Sequence, residues 1–147
     1  MITKNQLKLG LDISKIHHII SRKMDGAIMN VINNDLTVSQ AYVIDFISNI
    51  HKDKDVFQKD LEKALDLKRS SISLMLNNME KNGLIKRISV SEDARFKKIV
   101  LTEKSIKLNK NISCTINSVE DKLSENITQE EIEIFQRVLN KIRNNLE

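Results

Sequence analysis

The apolar positions of this chain change period along its length, and that change predicts a run of helices interrupted by one hairpin. From about Asn5 to Asn33, Ile13, Ile16, Ile20, Met24, Ala27 and Val31 recur at helical spacing, with Leu7, Leu9 and Leu11 placed less regularly before them. A second helix is expected from Leu36-Thr37-Val38-Ser39-Gln40: Thr37 can cap the first turn, Gln40 can reach back, and Leu36 can staple onto Ala41. Its stripe is Tyr42, Val43, Phe46, Ile47 and Ile50, running to about His51. After the polar loop Lys52-Asp53-Lys54-Asp55, Val56 to Leu65 reads as a third helix with Phe57, Leu61, Ala64 and Leu65 inward, closed by a turn at Asp66-Leu67. Ile72, Met75, Leu76 and Met79 form the buried stripe of a fourth helix, which Asn82-Gly83 ends because glycine takes the left-handed conformation of a helix stop.

The period then shortens. Residues 84–88 and 96–101 are rich in β-branched or aromatic side chains and flank the charged turn from Ser89 to Arg95, so they read as a hairpin. Helical spacing returns at Thr102, a cap for a helix to about Asn126 whose seam is Leu108, Ile112, Ile116, Val119, Leu123 and Ile127. Thr128-Gln129-Glu130-Glu131 is a second capping box, stapled by Ile127 and Ile132, and the helix it opens is expected to bury Ile132, Phe135, Val138, Leu139, Ile142 and Leu146. The long first helix has more apolar surface than one small lobe can cover, so part of it is expected to meet another chain.

Composition agrees with a mostly α protein carrying a small β-hairpin. Across 147 residues there are three glycines, no proline and 3% aromatics, which suits helices with few tight turns in a single domain. No run approaches the length of a membrane span and the start lacks a signal-peptide pattern, so a cytoplasmic protein without a membrane partner is expected. Enzyme readings fail on inventory, since there is no glycine-rich phosphate loop and no catalytic or Cys/His metal spacing. Neither cofactor nor metal is expected: His17, His18 and His51 read as polar surface residues. The lone Cys114, beside the Ile112–Ile116 seam, reads as a packed structural residue.

Charge narrows the function. The formal net charge is +4, and residues 68–98 hold eight basic side chains against three acidic ones, so the excess sits on the fourth helix and the hairpin. That is the footprint of a polyanion-binding surface. Lys68, Arg69, Ser70, Ser71 and Ser73 crowd the start of the helix, where backbone N–H groups and the helix dipole also favour anions. Arg69 can fork onto guanine, the serines can bond phosphates or base edges, and Lys68 suits a phosphate. Leu74, if it faces the groove, favours thymine methyl groups. Arg87, Lys97 and Lys98 add positive charge on the hairpin.

A recognition-type helix followed at once by a basic hairpin is the core of a winged helix-turn-helix. Leu36-Thr37-Val38-Ser39-Gln40, Gly83-Leu84-Ile85-Lys86-Arg87, Asp93-Ala94-Arg95 and Leu101-Thr102-Glu103-Lys104, in this order, resemble the MarR family of bacterial transcriptional regulators. The resemblance implies one domain over 1–147, with residues 36–102 as the DNA-binding lobe and residues 1–35 and 103–147 as dimerisation helices. It implies a homodimer on a pseudo-palindromic operator, most often a repressor, released by a small-molecule or oxidant signal. It also implies that Asp93 orients Arg95 for the minor groove, and that an effector pocket lies between the long helices and the lobe, where His17, Tyr42, Phe46 and Phe57 are candidates. Leu74, Lys68 as a helix cap, and Ser105 in place of a common glycine depart from the family pattern. The competing reading is a winged-helix module for protein–protein contact, which the basic helix and wing disfavour.

Overall fold

The structure, a computed structural model, describes residues 8–32, 36–50 and 53–147. Its first helix, α1 (Leu9–Met29), ends short of the expected Asn33, and the expected start near Asn5 lies outside the described residues. Met24 and Ile28 are its buried positions, while Ile13, Ile16 and Ile19 are exposed. Ile28, fully buried, takes the place that the sequence pattern gave to Ala27, which only packs against the edge of the core.

α2 (Val38–Asp45) begins with the expected capping box: Gln40 N–H donates to Thr37 Oγ1 at 3.2 Å and Thr37 N–H to Gln40 Oε1 at 3.0 Å. Leu36 and Ala41 are both buried beside it. The helix does not continue unchanged toward His51, itself outside the described residues, because Phe46–Ile50 widens into a π-helical turn. That turn is tied to α5 (Glu103–Leu123), where Asn49 Nδ2 donates to Ser113 Oγ at 2.6 Å. Ser113 Oγ in turn donates to Asp45 Oδ1 at 2.6 Å.

Val56 corrects another expectation. It precedes the third helix and pairs as a single β-bridge with Ile99, whose N–H donates to Val56 O at 2.7 Å. α3 (Gln58–Leu65) therefore starts after Phe57, where Asp60 Oδ2 accepts the Phe57 N–H at 2.8 Å. Leu61 is buried and Leu65 half-buried, but Ala64 faces out. The turn into α4 (Arg69–Lys81) uses Asp66 at φ 50°, a left-handed conformation that Asp tolerates better than most residues.

α4 buries Ile72, Leu76 and Met79. Gly83 at φ 70° stops it: Gly83 N–H reaches Glu80 O at 3.1 Å and Leu84 N–H reaches Met79 O at 2.8 Å, with Leu84 and Met79 both fully buried. The chain leaves this stop as β1 (Ile85–Ser89), antiparallel to β2 (Lys97–Leu101) with Arg87 opposite Ile99. Thr102 caps α5 as expected, and Ile112 and Val119 are the buried residues of the seam. Ser105 is fully buried, and its hydroxyl donates to Leu84 O, while Thr102 Oγ1 donates to Gly83 O at 2.6 Å. Two hydroxyls thus fasten the start of α5 to the helix stop and the base of the hairpin.

The last element, α6 (Gln129–Leu146), opens on the second capping box, with Glu131 N–H on Thr128 Oγ1 at 3.2 Å and Thr128 N–H on Glu131 Oε2 at 2.8 Å. Its apolar stripe is not buried as expected. Phe135 is 61% and Leu146 83% exposed, Val138 is exposed too, and Ile132, Leu139 and Ile142 are half-buried. The physical reason is that burial needs a facing surface, and among the described residues no side chain of α6 joins the core. Cys114 is likewise exposed on α5 rather than packed. Among the described residues no helix is long and apolar enough to cross a membrane.

Candidate nucleic-acid interface

The surface is built on α4. Ile72, Leu76 and Met79 fix one side of this helix in the core. Helical geometry then turns Ser70, Leu74, Asn77 and Lys81, at i, i+4, i+7 and i+11, to the opposite side, and all four are exposed. Leu74 is 65% exposed. Lys68, Arg69 and Ser71 are also exposed at the helix start, and Ser73 is half-buried. Lys68 makes no side-chain cap bond, as its residue type predicts, so the first N–H groups of α4 have no capping side chain. Gln58 holds α3 against this start through an Nε2 bond to Arg69 O at 3.4 Å.

The hairpin projects its charge beside that face. Asp93 and Arg95 form a fork: Arg95 Nε donates to Asp93 Oδ1 at 3.0 Å and Nη2 to Oδ2 at 2.8 Å, while the Arg95 N–H closes the turn on Oδ1 at 3.0 Å. The arginine side chain is 85% exposed, so it is held in direction without being covered. Its hydrogen bonds hold the Asp93 carboxyl below the usual aspartate range, and the carboxylate raises the Arg95 guanidinium above its own. Lys97 is exposed, and Lys98 pairs with Asp55 at 3.3 Å.

Arg87, expected among the DNA-contacting cations of the hairpin, is also engaged within the chain. Its Nη2 donates to Glu80 Oε2 at 2.7 Å and to Asn77 Oδ1 at 2.5 Å, and its Nε donates to Glu80 Oε2 at 3.0 Å. Hydrogen bonding from Arg87 is the main cause lowering the Glu80 carboxyl below its usual range. The guanidinium therefore ties the wing to α4. Between the wing and α3, at the start of α4, lies a cleft of about 470 Å³ with Phe57, Phe96 and Ile99 as apolar lining and Arg69, Arg95 and Lys97 among its cations.

The four effector candidates lie on α1, on α2 with the π-helical turn that continues it, and just before α3. Tyr42 is half-buried; burial first, then the charges of Asp25 on α1 and Glu120 on α5, push its phenol above the usual range. Phe46 packs against the core, Phe57 lines the cleft beside the wing, and His17 is exposed on α1 with His18 as its ring neighbour. Among the described residues no group of three or more His, Cys, Asp and Glu is arranged to hold a metal. Asn77 and Glu80 are not marked out by the basic pattern of the sequence, although the spacing of Asn77 from Ser70 and Leu74 is a readable signal. Its bond to Arg87 is not, since it spans two elements.

Known proteins share this fold. A model of the MarR family matches residues 34–95. The transcription regulator MarR from Oenococcus oeni PSU-1 is 28% identical, with a TM-score of 0.79 over 93% of this chain and 99% of that one. A MepR–DNA complex from S. aureus is 26% identical, with a TM-score of 0.81 over 98% of this chain and 100% of that one. The heme sensor protein PefR from Streptococcus agalactiae, solved with heme, shares the fold at 24% identity, a TM-score of 0.60 and 95% coverage of both chains. The family model thus covers the helix-turn-helix with the first strand and turn of the wing, and the long flanking helices are matched by the structures of MarR-family regulators, so this chain has the winged-helix fold of the MarR transcription regulators.

Proposed function

We propose that this chain is a homodimeric, sequence-specific DNA-binding regulator that occupies a pseudo-palindromic operator as a repressor and leaves it when a small-molecule or oxidant signal shifts the dimer. The observation that carries the reading is the pairing of an exposed, polar α4 face with the forked, outward Arg95 on the adjoining wing. In that reading α4 enters the major groove, where Arg69 and Leu74 meet base edges while Lys68, Ser70, Ser71 and Ser73 meet phosphates or bases. Arg95 reaches the neighbouring minor groove, and Lys97 and Lys98 supply charge along the backbone. Residues 36–102 form the DNA-binding lobe, and residues 1–35 and 103–147 the dimerisation helices.

Dimerisation is supported by the stripe Phe135, Val138 and Leu146 on α6 and by Leu9, Leu11, Ile13 and Ile16 on α1, all exposed in the single chain. Apolar surface of that extent is expected to be covered by a second copy. A two-fold dimer places its two α4 helices in successive major grooves, about one helical turn apart, which is why the operator is expected to be pseudo-palindromic. A regulator of this kind works in the cytoplasm, beside the chromosome.

The test is a salt titration of binding to the DNA upstream of the protein's own gene, with unrelated DNA as control. Each phosphate neutralised by a lysine or arginine releases counterions, so affinity for the upstream DNA should fall steeply with salt while staying above the control. A flat salt response, or equal binding to both DNAs, would favour a winged helix that contacts protein instead. Sedimentation at micromolar concentration should give a dimer, and a well-behaved monomer would remove the two-half-site geometry.

A further inference from the structure

Arg87 does more than fasten the wing. An arginine side chain is a donor without acceptor capacity, so the atom of Asn77 that lies 2.5 Å from Arg87 Nη2 must be the carboxamide oxygen. Glu80 holds the same guanidinium from the other side through two bonds of 2.7 and 3.0 Å to one carboxylate oxygen. The Asn77 oxygen is thereby turned toward the wing, and its NH2 group is left facing away from Arg87. Among the described residues that NH2 has no acceptor, and Asn77 is exposed on the same face as Ser70 and Leu74.

An unrestrained asparagine in a major groove presents a donor and an acceptor together, the pair that matches N6 and N7 of adenine. With its oxygen engaged, Asn77 matches a different class of partner: an acceptor such as guanine N7 or O6, thymine O4 or a phosphate oxygen. We propose that Asn77 contacts the operator as a hydrogen-bond donor, with Arg87 as the positioning residue that turns its carboxamide and Glu80 as the anchor of that arginine. This deepens the DNA-binding reading and rests on it.

The experiment is a titration of the full-length dimer against the parent operator, a panel of single-base variants and an operator carrying methylphosphonates. The proteins are the parent, Asn77→Ala, Arg87→Lys and the double variant, each checked for folding by circular dichroism. Arg87→Lys keeps a cation beside Glu80 but loses the fork. Asn77→Ala should weaken parent-operator binding by about 3- to 10-fold, the range for one lost hydrogen bond. Arg87→Lys should weaken it by less, and should cost nothing further in the Asn77→Ala background. A base-edge partner would show as a preference at one base pair per half-site that Asn77→Ala levels. A phosphate partner would show as an equal loss on every sequence, reproduced by one methylphosphonate. Either result supports the donor role.

Two results would overturn it. One is an Asn77→Ala variant that binds like the parent throughout; the other is a loss from Arg87→Lys that is equal with and without Asn77, which marks Arg87 as wing support alone. If Arg87→Lys fails to fold, Glu80→Gln loosens the fork from its other side and enters the same comparison. A parent that shows no operator preference over control DNA would refute the DNA-binding reading itself, and that result is separable because it appears before any variant is compared.

Discussion

Ser105 offers a sharp test of how the wing is joined to the long helices. Its side chain is fully buried and its hydroxyl donates to Leu84 O, the carbonyl at the foot of the hairpin. Removing the hydroxyl does not orphan that carbonyl, because Thr102 N–H still reaches it at 3.2 Å. The cost of Ser105→Ala is therefore that of one net hydrogen bond, roughly 0.5–1.5 kcal/mol, without the penalty of a buried unpaired acceptor. Ser105→Gly removes the same bond and also the Cβ inside the first turn of α5, adding up to about 1 kcal/mol of helix propensity. Stability should fall in the order serine, alanine, glycine. Urea unfolding at one fixed protein concentration is the assay, since a dimer's midpoint moves with concentration. At this chain length each kcal/mol should also lower the melting temperature by about 2–4 °C. A glycine variant as stable as the alanine one would mean that the backbone needs room at this position, and the clamp argument would fail.

Three further outcomes are expected. Gly83→Ala should cost about 1–2 kcal/mol from the left-handed φ of 70° alone, because an added Cβ meets nothing within 4 Å; a neutral melt would show that the helix stop is not strained. Arg95→Ala should weaken binding to every operator variant by a similar factor with fold and dimer intact, whereas Arg69→Ala should relax preference at one base pair per half-site, roughly 1–3 kcal/mol of discrimination if its contact is a two-bond fork; the reverse pattern in a base-variant panel would exchange their roles. Because Arg95 holds the Asp93 carboxyl below its usual range, the fork is fully present above the ordinary aspartate range and is lost as pH falls beneath it. The affinity ratio of parent to Asp93→Asn should thus stay constant from about pH 8 to 5, and a change across that interval would point to another titrating group.

Much of this protein was legible along the chain because the relevant physics is local. Both capping boxes, at Thr37 and Thr128, close within three residues, and the stop at Gly83 follows from one backbone conformation. The stripe Ile72, Leu76 and Met79 follows from the period of a helix, and the Asp93–Arg95 fork joins side chains two residues apart. What the tertiary structure decided involves partners chosen across the chain. Val56 left its expected helix because Ile99, far away in sequence, offered it a strand partner, and the π-helical turn after Asp45 is held to α5 through Ser113. Arg87 reads from sequence as one of the basic residues of the hairpin, and only the fold shows Glu80 and Asn77 one element away at bonding distance. Ser105 reads as an ordinary helix residue until the hairpin brings Leu84 O against it. For α6 the pattern gave the helix and its apolar stripe, but burial is a property of two surfaces, and a single chain supplies one of them.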